Sequence, residues 1–140
     1  MNGVDAHMNK NVVALIALVS ILGCVAVFLL YWTMPRPAPF SLEVIPESLK
    51  GDSIPGQRCI FLVIVEDNGT GTGEGKAVTI SATAPGSAVT VEHATIVPGQ
   101  VAEVTVIPDK GSAGSNITVT VYGEREGLER TKAVTFTVLE

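Results

Sequence analysis

The sequence predicts an all-β domain, a sandwich of two sheets built from seven short strands, preceded by one membrane-spanning helix. Three observations carry this prediction. Residues 12–32 form an unbroken apolar run, and the residues after position 40 alternate between apolar and polar with a period of two. The gaps between the alternating runs contain Gly, Pro, Asn or Asp, which are typical of turns. A chain of 140 residues leaves room for one such domain.

The apolar run from Val12 to Trp32 is 21 residues long and carries no charge. A helix of about 20 apolar residues crosses a bilayer, whereas the apolar core of a removable secretory signal is only about 7–15 residues long. Tyr31 and Trp32 are typical of the membrane interface. We therefore predict a short tail over residues 1–11 and an uncleaved signal anchor over residues 12–32. The alternative is acylation of Cys24 as in a lipoprotein, which the apolar residues after it disfavour.

Residues 33–39 carry proline at alternate positions, namely Pro35, Pro37 and Pro39. This pattern favours an extended polyproline conformation over helix or strand. At about 3.1 Å per residue, such a linker would hold the following domain some 20 Å away as a semi-rigid spacer.

The β domain is predicted over residues 40–140. Its seven predicted strands are Phe40–Val44, Arg58–Glu66, Ala77–Thr83, Ala88–Glu92, Val101–Ile107, Ile117–Tyr122 and Lys132–Leu139. The alternation assigns the inward-facing side chains to Phe40, Leu42, Val44, Val78, Ile80, Ala82, Ala102, Val104, Val106, Ile117, Val119, Val121, Val134, Phe136 and Val138. Short strands at this spacing, each with one buried face, indicate two packed sheets.

The strand spacing and the segments Ile54-Pro-Gly-Gln57 and Val97-Pro-Gly-Gln100, each leading into a strand, resemble immunoglobulin-like and CARDB-like domains. Such domains occur in membrane-anchored surface proteins of archaea and bacteria. The resemblance covers Phe40 to Leu139 and implies a seven-stranded immunoglobulin-like β-sandwich that acts as a surface module, without naming its ligand. The antibody-type cysteine pair is absent, and the single Trp lies in the membrane segment.

The glycine-rich stretch EDNGTGTGEGKAVT, residues 66–79, has three possible interpretations, namely a phosphate-binding loop, a calcium-binding loop and a simple hairpin loop. A phosphate-binding loop requires Gly-x4-Gly-Lys-Ser/Thr before a helix, but Ala77 replaces the hydroxyl residue and a strand follows, which excludes nucleotide binding. Asp67 and Glu74 are candidate ligands for a weak calcium site, although the EF-hand spacing is missing. The remaining interpretation is a solvated hairpin loop that turns the chain.

Enzymatic and nucleic-acid functions find little support. His93 is the single histidine beyond the membrane segment, and one imidazole cannot assemble a metal site or a nucleophile-base pair. We predict no catalytic residues and no cofactor. Residues 37–140 hold 7 Lys or Arg against 13 Asp or Glu, a surface that repels phosphates and so excludes nucleic acid as a partner.

Both asparagines of the β domain open glycosylation sequons, Asn68-Gly-Thr and Asn116-Ile-Thr. This favours a single-pass protein of the cell membrane with an extracellular C-terminal domain, although both could simply be turn residues. Cys59 has no second cysteine in its domain, so an internal disulfide is excluded and burial is expected.

Two stretches are candidates for interaction. The run Cys59–Val65, which includes Phe61, is apolar on both faces, and it is either a shielded central strand or an exposed binding stripe. Residues 123–130 are predicted to form the last loop between strands, with Arg125 and an exposed Leu128. Either stretch would serve a protein or cell-envelope partner.

The sequence as a whole predicts a non-enzymatic surface module with a structural, adhesive or complex-assembly role. Two alternatives stay open. One is an accessory subunit or N-terminal anchoring fragment of a membrane enzyme, and the other is a weak calcium- or carbohydrate-binding module.

Overall fold

The computed structural model describes residues 9–46 and 52–140. Most of the predicted tail over residues 1–11 therefore lies outside the described residues, as does the stretch 47–51. The chain divides into two compact units, residues 1–35 and residues 36–140.

The first unit contains one helix, α1, at Lys10–Thr33. The side chain of Asn9 caps its start by accepting a hydrogen bond from the Asn11 N–H at 3.1 Å. The helix ends at Thr33, and the next residue, Met34, is extended because it precedes Pro35 and a proline disfavours helical geometry in the residue before it. None of its residues is buried, and its length and composition suffice to cross a membrane, as the sequence predicts.

The second unit contains nine strands rather than seven among the described residues. Their bounds are β1 Phe40–Pro46, β2 Asp52–Ser53, β3 Cys59–Asp67, β4 Val78–Thr83, β5 Ser87–Glu92, β6 Thr95–Ile96, β7 Val101–Pro108, β8 Asn116–Arg125 and β9 Leu128–Val138. Seven of them correspond to the predicted runs. The prediction missed β2 and β6 because two residues are too few to show an alternation.

The strands form two sheets, as a sandwich requires. One sheet has the order β1-β3-β7-β5, and the other has the order β2-β9-β8-β4-β6. All pairs are antiparallel except β2 with β9. Because β3 and β4 belong to different sheets, the glycine-rich stretch crosses from one sheet to the other, and its interpretation as a hairpin loop is wrong.

The core lies between the sheets and is lined by the inward faces predicted from the alternation. All the predicted inward residues are buried except Ala82 and Val134, which are partly buried and pack against the same core. Phe61 is fully buried and its ring centroid lies 5.9 Å from that of Phe136. Phe61 is therefore a core residue that no partner can contact, and its assignment as an interaction residue is wrong.

The two Pro-Gly-Gln segments form the same turn. Gln57 N–H donates to the Ile54 carbonyl at 2.9 Å, and Gln100 N–H donates to the Val97 carbonyl at 3.0 Å. The middle glycines have φ values of 79° and 87°, which a type II turn requires at this position and which glycine adopts without strain. Each Gln side chain in turn accepts a hydrogen bond from the first residue of its turn.

The loop predicted over residues 123–130 does not exist as a loop. Strands β8 and β9 continue to Arg125 and Leu128, which face each other across a two-residue turn. Glu126 and Gly127 have φ values of 51° and 77°, the left-handed pair that a type I′ hairpin turn requires. Type I′ turns usually have the sequence Asn-Gly or Asp-Gly, whereas this turn has Glu-Gly. The sequence therefore predicts a longer loop than the structure contains.

Candidate functional site

A buried arginine at the end of β8 links three parts of the β domain. The side chain of Arg125 is 1% exposed, and its Nη1 lies 2.6 Å from Oδ1 of Asp67 at the end of β3. Its Nη2 donates to the carbonyl of Ala38 at 3.1 Å, and its guanidinium carbon lies 5.0 Å from the centre of the Phe40 ring. We call Ala38, Phe40, Asp67 and Arg125 the arginine cluster. Its burial contradicts the expectation that Arg125 lies on an exposed charged loop.

Burying a guanidinium is costly unless its charge is paired and its donors are satisfied. The carboxylate of Asp67 supplies the charge, and the face of the Phe40 ring adds a cation–π contact. Nε of Arg125 is also buried and has no hydrogen-bond partner among the described residues. The stabilisation of the arginine therefore depends mainly on Asp67.

The arginine cluster holds residues that the sequence assigns to the proline-rich linker. Ala38 N–H donates to the Thr72 carbonyl and Thr72 N–H donates to the Arg36 carbonyl, both at 2.8 Å. Pro39 accepts a hydrogen bond from Asn68 N–H at 2.9 Å. Residues 36–39 are thus fixed to the glycine-rich stretch, which differs from the extended free spacer that alternating prolines predict.

Asp67 has a different environment from the one a calcium ligand would need. Burial raises its pKa, but the hydrogen bond from Gly75 N–H at 2.9 Å and the charge of Arg125 outweigh this, so that the pKa lies below its usual value. Arg125 thereby occupies the electrostatic role that a cation would take. Glu74 is exposed, and the described residues contain no group of three or more potential metal ligands.

Both sequon asparagines are exposed. Asn68 follows β3 and accepts a hydrogen bond from the Ser41 hydroxyl at 3.4 Å. Asn116 begins β8, and its side-chain oxygen accepts a hydrogen bond from the Thr137 hydroxyl at 2.9 Å. The second sequon therefore lies in a strand and not in a turn.

Leu128, Cys59 and His93 differ in their burial. Leu128 is partly buried and packs against the core, so its predicted exposure is wrong. Cys59 is buried, as expected. His93 is exposed at a left-handed position directly after β5.

The outer surface of the sheet β1-β3-β7-β5 is mixed in character. Ile60, Leu62 and Ile64 are half-buried there, which supports the shielded-strand interpretation of the apolar run. On the neighbouring strand β7, Glu103 lies opposite Leu62 and forms an ion pair with Arg58 at 3.3 Å.

The outer surface of the other sheet was not singled out from the sequence, and it is unusual. Apart from Glu124 and Glu129 at one end, the outward positions of β4, β8 and β9 bring together side chains that are polar or small and carry no charge. We call this set the hydroxyl face, and it comprises Ser81, Thr83, Asn116, Thr118, Thr120, Tyr122, Thr131, Ala133, Thr135 and Thr137. Alternate threonines in three separate runs were the available signal, but only the sheet order makes them neighbours.

Three solved structures are similar to this chain. A conjugative transposon lipoprotein from Bacteroides eggerthii matches with a TM-score of 0.51 and 14% identity over 70% of this chain and 96% of that chain. Domains 4 and 5 of the S-layer protein SbsC match with a TM-score of 0.49 and 20% identity over 74% of this chain and 55% of that chain, so this chain spans about half of that structure. A lipoprotein from Bacteroides thetaiotaomicron matches with a TM-score of 0.46 and 16% identity over 73% of this chain and 82% of that chain.

No family model matches the sequence, and no curated protein is similar enough to count as a relative. At these identities the similarity to solved structures shows the fold alone. The match to the Bacteroides eggerthii lipoprotein, at a TM-score of 0.51, thus shows a similarity in fold and no role, and the resemblance to CARDB-like domains stays a prediction.

Proposed function

We propose that the protein is a single-pass membrane protein that presents a non-enzymatic β-sandwich outside the cell, with a structural, adhesive or complex-assembly role. One observation carries the proposal. Helix α1 has 24 residues, none of them buried, while the β domain has a complete core of its own. An apolar helix with no protein surface to cover it requires another apolar environment, and a bilayer supplies one.

The strand order supports the finer assignment of an immunoglobulin-like domain. With β1, β3, β4, β5, β7, β8 and β9 taken as strands A to G, the sheets read A-B-E-D and G-F-C, the order of a constant-type immunoglobulin domain. The two short strands β2 and β6 are additions at the edges of the second sheet.

Two features support an extracellular position for the domain. Asn68 and Asn116 are both exposed, as glycosylation acceptors must be. The excess of acidic residues over residues 37–140 also suits a domain that does not lie flat on anionic lipid.

Protease treatment of intact cells tests this proposal. The full chain carries a C-terminal tag and is expressed in its native membrane. Loss of the tag from intact cells is the expected result. A tag that is protected until the cells are lysed would place the domain in the cytoplasm and overturn the proposal.

A second candidate function, that of an accessory subunit of a membrane complex, is favoured by the surface of the sheet β1-β3-β7-β5. Ile45 and Val101 are 39% and 44% exposed there, beside the half-buried Leu62 and Ile64. Apolar side chains among charged ones are typical of a protein interface. Leu62→Lys should then release co-purifying subunits, whereas Ser81→Lys on the opposite sheet should not.

A further inference from the structure

The hydroxyl face is a regular array of hydrogen-bonding groups. Across the strands, Ser81 lies opposite Tyr122, which lies opposite Thr131, and Thr83 lies opposite Thr120. Neighbouring strands are about 4.8 Å apart and successive residues on one face are about 7 Å apart. Each threonine hydroxyl can both donate and accept a hydrogen bond.

The absence of charge distinguishes this face from the rest of the β domain. The domain has many acidic residues, yet on the outward positions of β8 and β9 they are limited to Glu124 and Glu129 at one end of the array, and at the other end Asp52 of β2 is in register with Thr137. The outer surface of the other sheet provides an internal comparison, since it carries Glu43, Arg58 and Glu103. High strand propensity alone explains individual threonines but does not explain why so many neighbouring outward positions of this sheet carry no charge.

Tyr122 is the aromatic residue of this array and lies in its last row before Glu124 and Glu129. It is half-buried on the central strand β8, between Ser81 and Thr131 on the strands at either side. A tyrosine ring offers a rigid amphipathic contact surface at low conformational cost. The surrounding threonines are β-branched and lie in strands, so their side chains are already restricted before any ligand binds.

We propose that the hydroxyl face binds an uncharged polysaccharide of the cell envelope. A polymer rich in hydroxyl groups matches an array of donors and acceptors, its sugar rings have apolar faces that can stack on Tyr122, and its neutrality matches the neutral surface. Protein partners are disfavoured because their binding sites depend on buried aromatic and arginine anchors, and the face offers one aromatic residue and no arginine. The inference rests on the proposed function, since only an external domain meets envelope polysaccharide.

A sedimentation assay tests the inference with the full chain in lipid nanodiscs, which avoids sugar-based detergents. The probes are two insoluble neutral polymers, chitin and cellulose, and soluble polygalacturonate serves as an anionic competitor. We expect the protein to sediment with at least one of the neutral polymers and the anionic competitor to have no effect. The inference would be overturned if the protein bound neither polymer. It would also be overturned if polygalacturonate displaced the protein from the polymer that it binds.

Variants locate the binding surface. Tyr122→Ala should weaken binding at least about tenfold, a loss of about 1.4 kcal/mol. The double variant Thr118→Val and Thr135→Val removes a pair of hydroxyls that lie 3.0 Å apart and keeps the β-branched shape, so it should fold and still lose affinity. The matched control is Thr90→Val on the other sheet, which should bind as the unchanged chain does. Equal binding by all variants would also overturn the inference.

The outcomes separate this inference from the proposed function. A domain that binds a neutral polymer in vitro but is protected from protease in intact cells would contradict the proposed function and leave the binding face established. An exposed domain that binds neither polymer would contradict the inference alone.

Discussion

The guanidinium of Arg125 and the carboxylate of Asp67 meet at 2.6 Å and join the ends of two strands that belong to different sheets. Arg125 ends β8 in one sheet, and Asp67 ends β3 in the other. The ion pair therefore connects the two layers of the sandwich at the point where residues 36–39 are held against the glycine-rich stretch.

Replacing Asp67 with Asn should destabilise the domain by about 3 kcal/mol, because it leaves the buried guanidinium without its counter-charge. The measurement is denaturant unfolding of the full chain in lipid nanodiscs, followed by circular dichroism. The control is Glu126→Gln, which breaks the nearby ion pair between Lys76 and Glu126 at 3.1 Å. That pair is exposed, so its loss should cost less than about 1 kcal/mol. If the two substitutions lowered the free energy of unfolding equally, burial of Arg125 would not determine how much its ion pair contributes to stability.

The ion pair should make stability depend on pH in the acidic range. Since the pKa of Asp67 is lowered from its usual value of 3.8, the pair stabilises the fold fully above 3.8, and the stabilisation is lost as the pH falls through the lower folded-state value. The difference in the free energy of unfolding between the unchanged chain and Asp67→Asn should therefore shrink at low pH. A difference that is the same at neutral and acidic pH would contradict this account.

Replacing Gly71 with Ala should detach residues 36–38 from the glycine-rich stretch. A Cβ at this position would lie 2.5 Å from the Arg36 carbonyl oxygen and 2.8 Å from the Ala38 nitrogen, both of which are backbone atoms. Hydrogen exchange at the Ala38 and Thr72 amides should accelerate, since each donates a hydrogen bond in this pairing. Gly111→Ala, where an added Cβ meets no atom within 4 Å, should leave both rates unchanged.

Replacing Phe61 with Ala should cost about 3–5 kcal/mol of stability, because the ring is fully buried against Phe136. Its neighbour Leu62 points to the outer surface and is only half-buried, so Leu62→Ala should cost clearly less. Thermal unfolding of the two variants checks the order. If Leu62→Ala were the more damaging substitution, the assignment of β3 faces would be reversed.

The regular parts of this fold could be read from the sequence because they depend on local alternation. The seven longer strands and their inward faces follow from a period of two that holds from Phe40 to Val138. Helix α1 follows in the same way from an uninterrupted apolar run.

The parts that could not be predicted depend on contacts between distant residues. The sequence shows Arg125 between two glutamates, which suggests solvent, and nothing local reveals that Asp67, Phe40 and the Ala38 carbonyl enclose it. The hydroxyl face could not be predicted for the same reason, since its threonines come from three strands that only the sheet order places side by side. The turn at Glu126 and Gly127 was missed because its sequence lacks the common type I′ residues.

The arginine cluster also sets an order of events during synthesis. Ala38 leaves the ribosome early, yet the side chain that holds its carbonyl lies 87 residues further along the chain. Strands β8 and β9 must therefore emerge before the first residues of the domain gain their buried partner, and contacts of this separation form late because closing a long loop costs entropy. Completion of the domain therefore depends on the final hairpin, and a chain that ends before Arg125 leaves Asp67 and the Ala38 carbonyl without this partner.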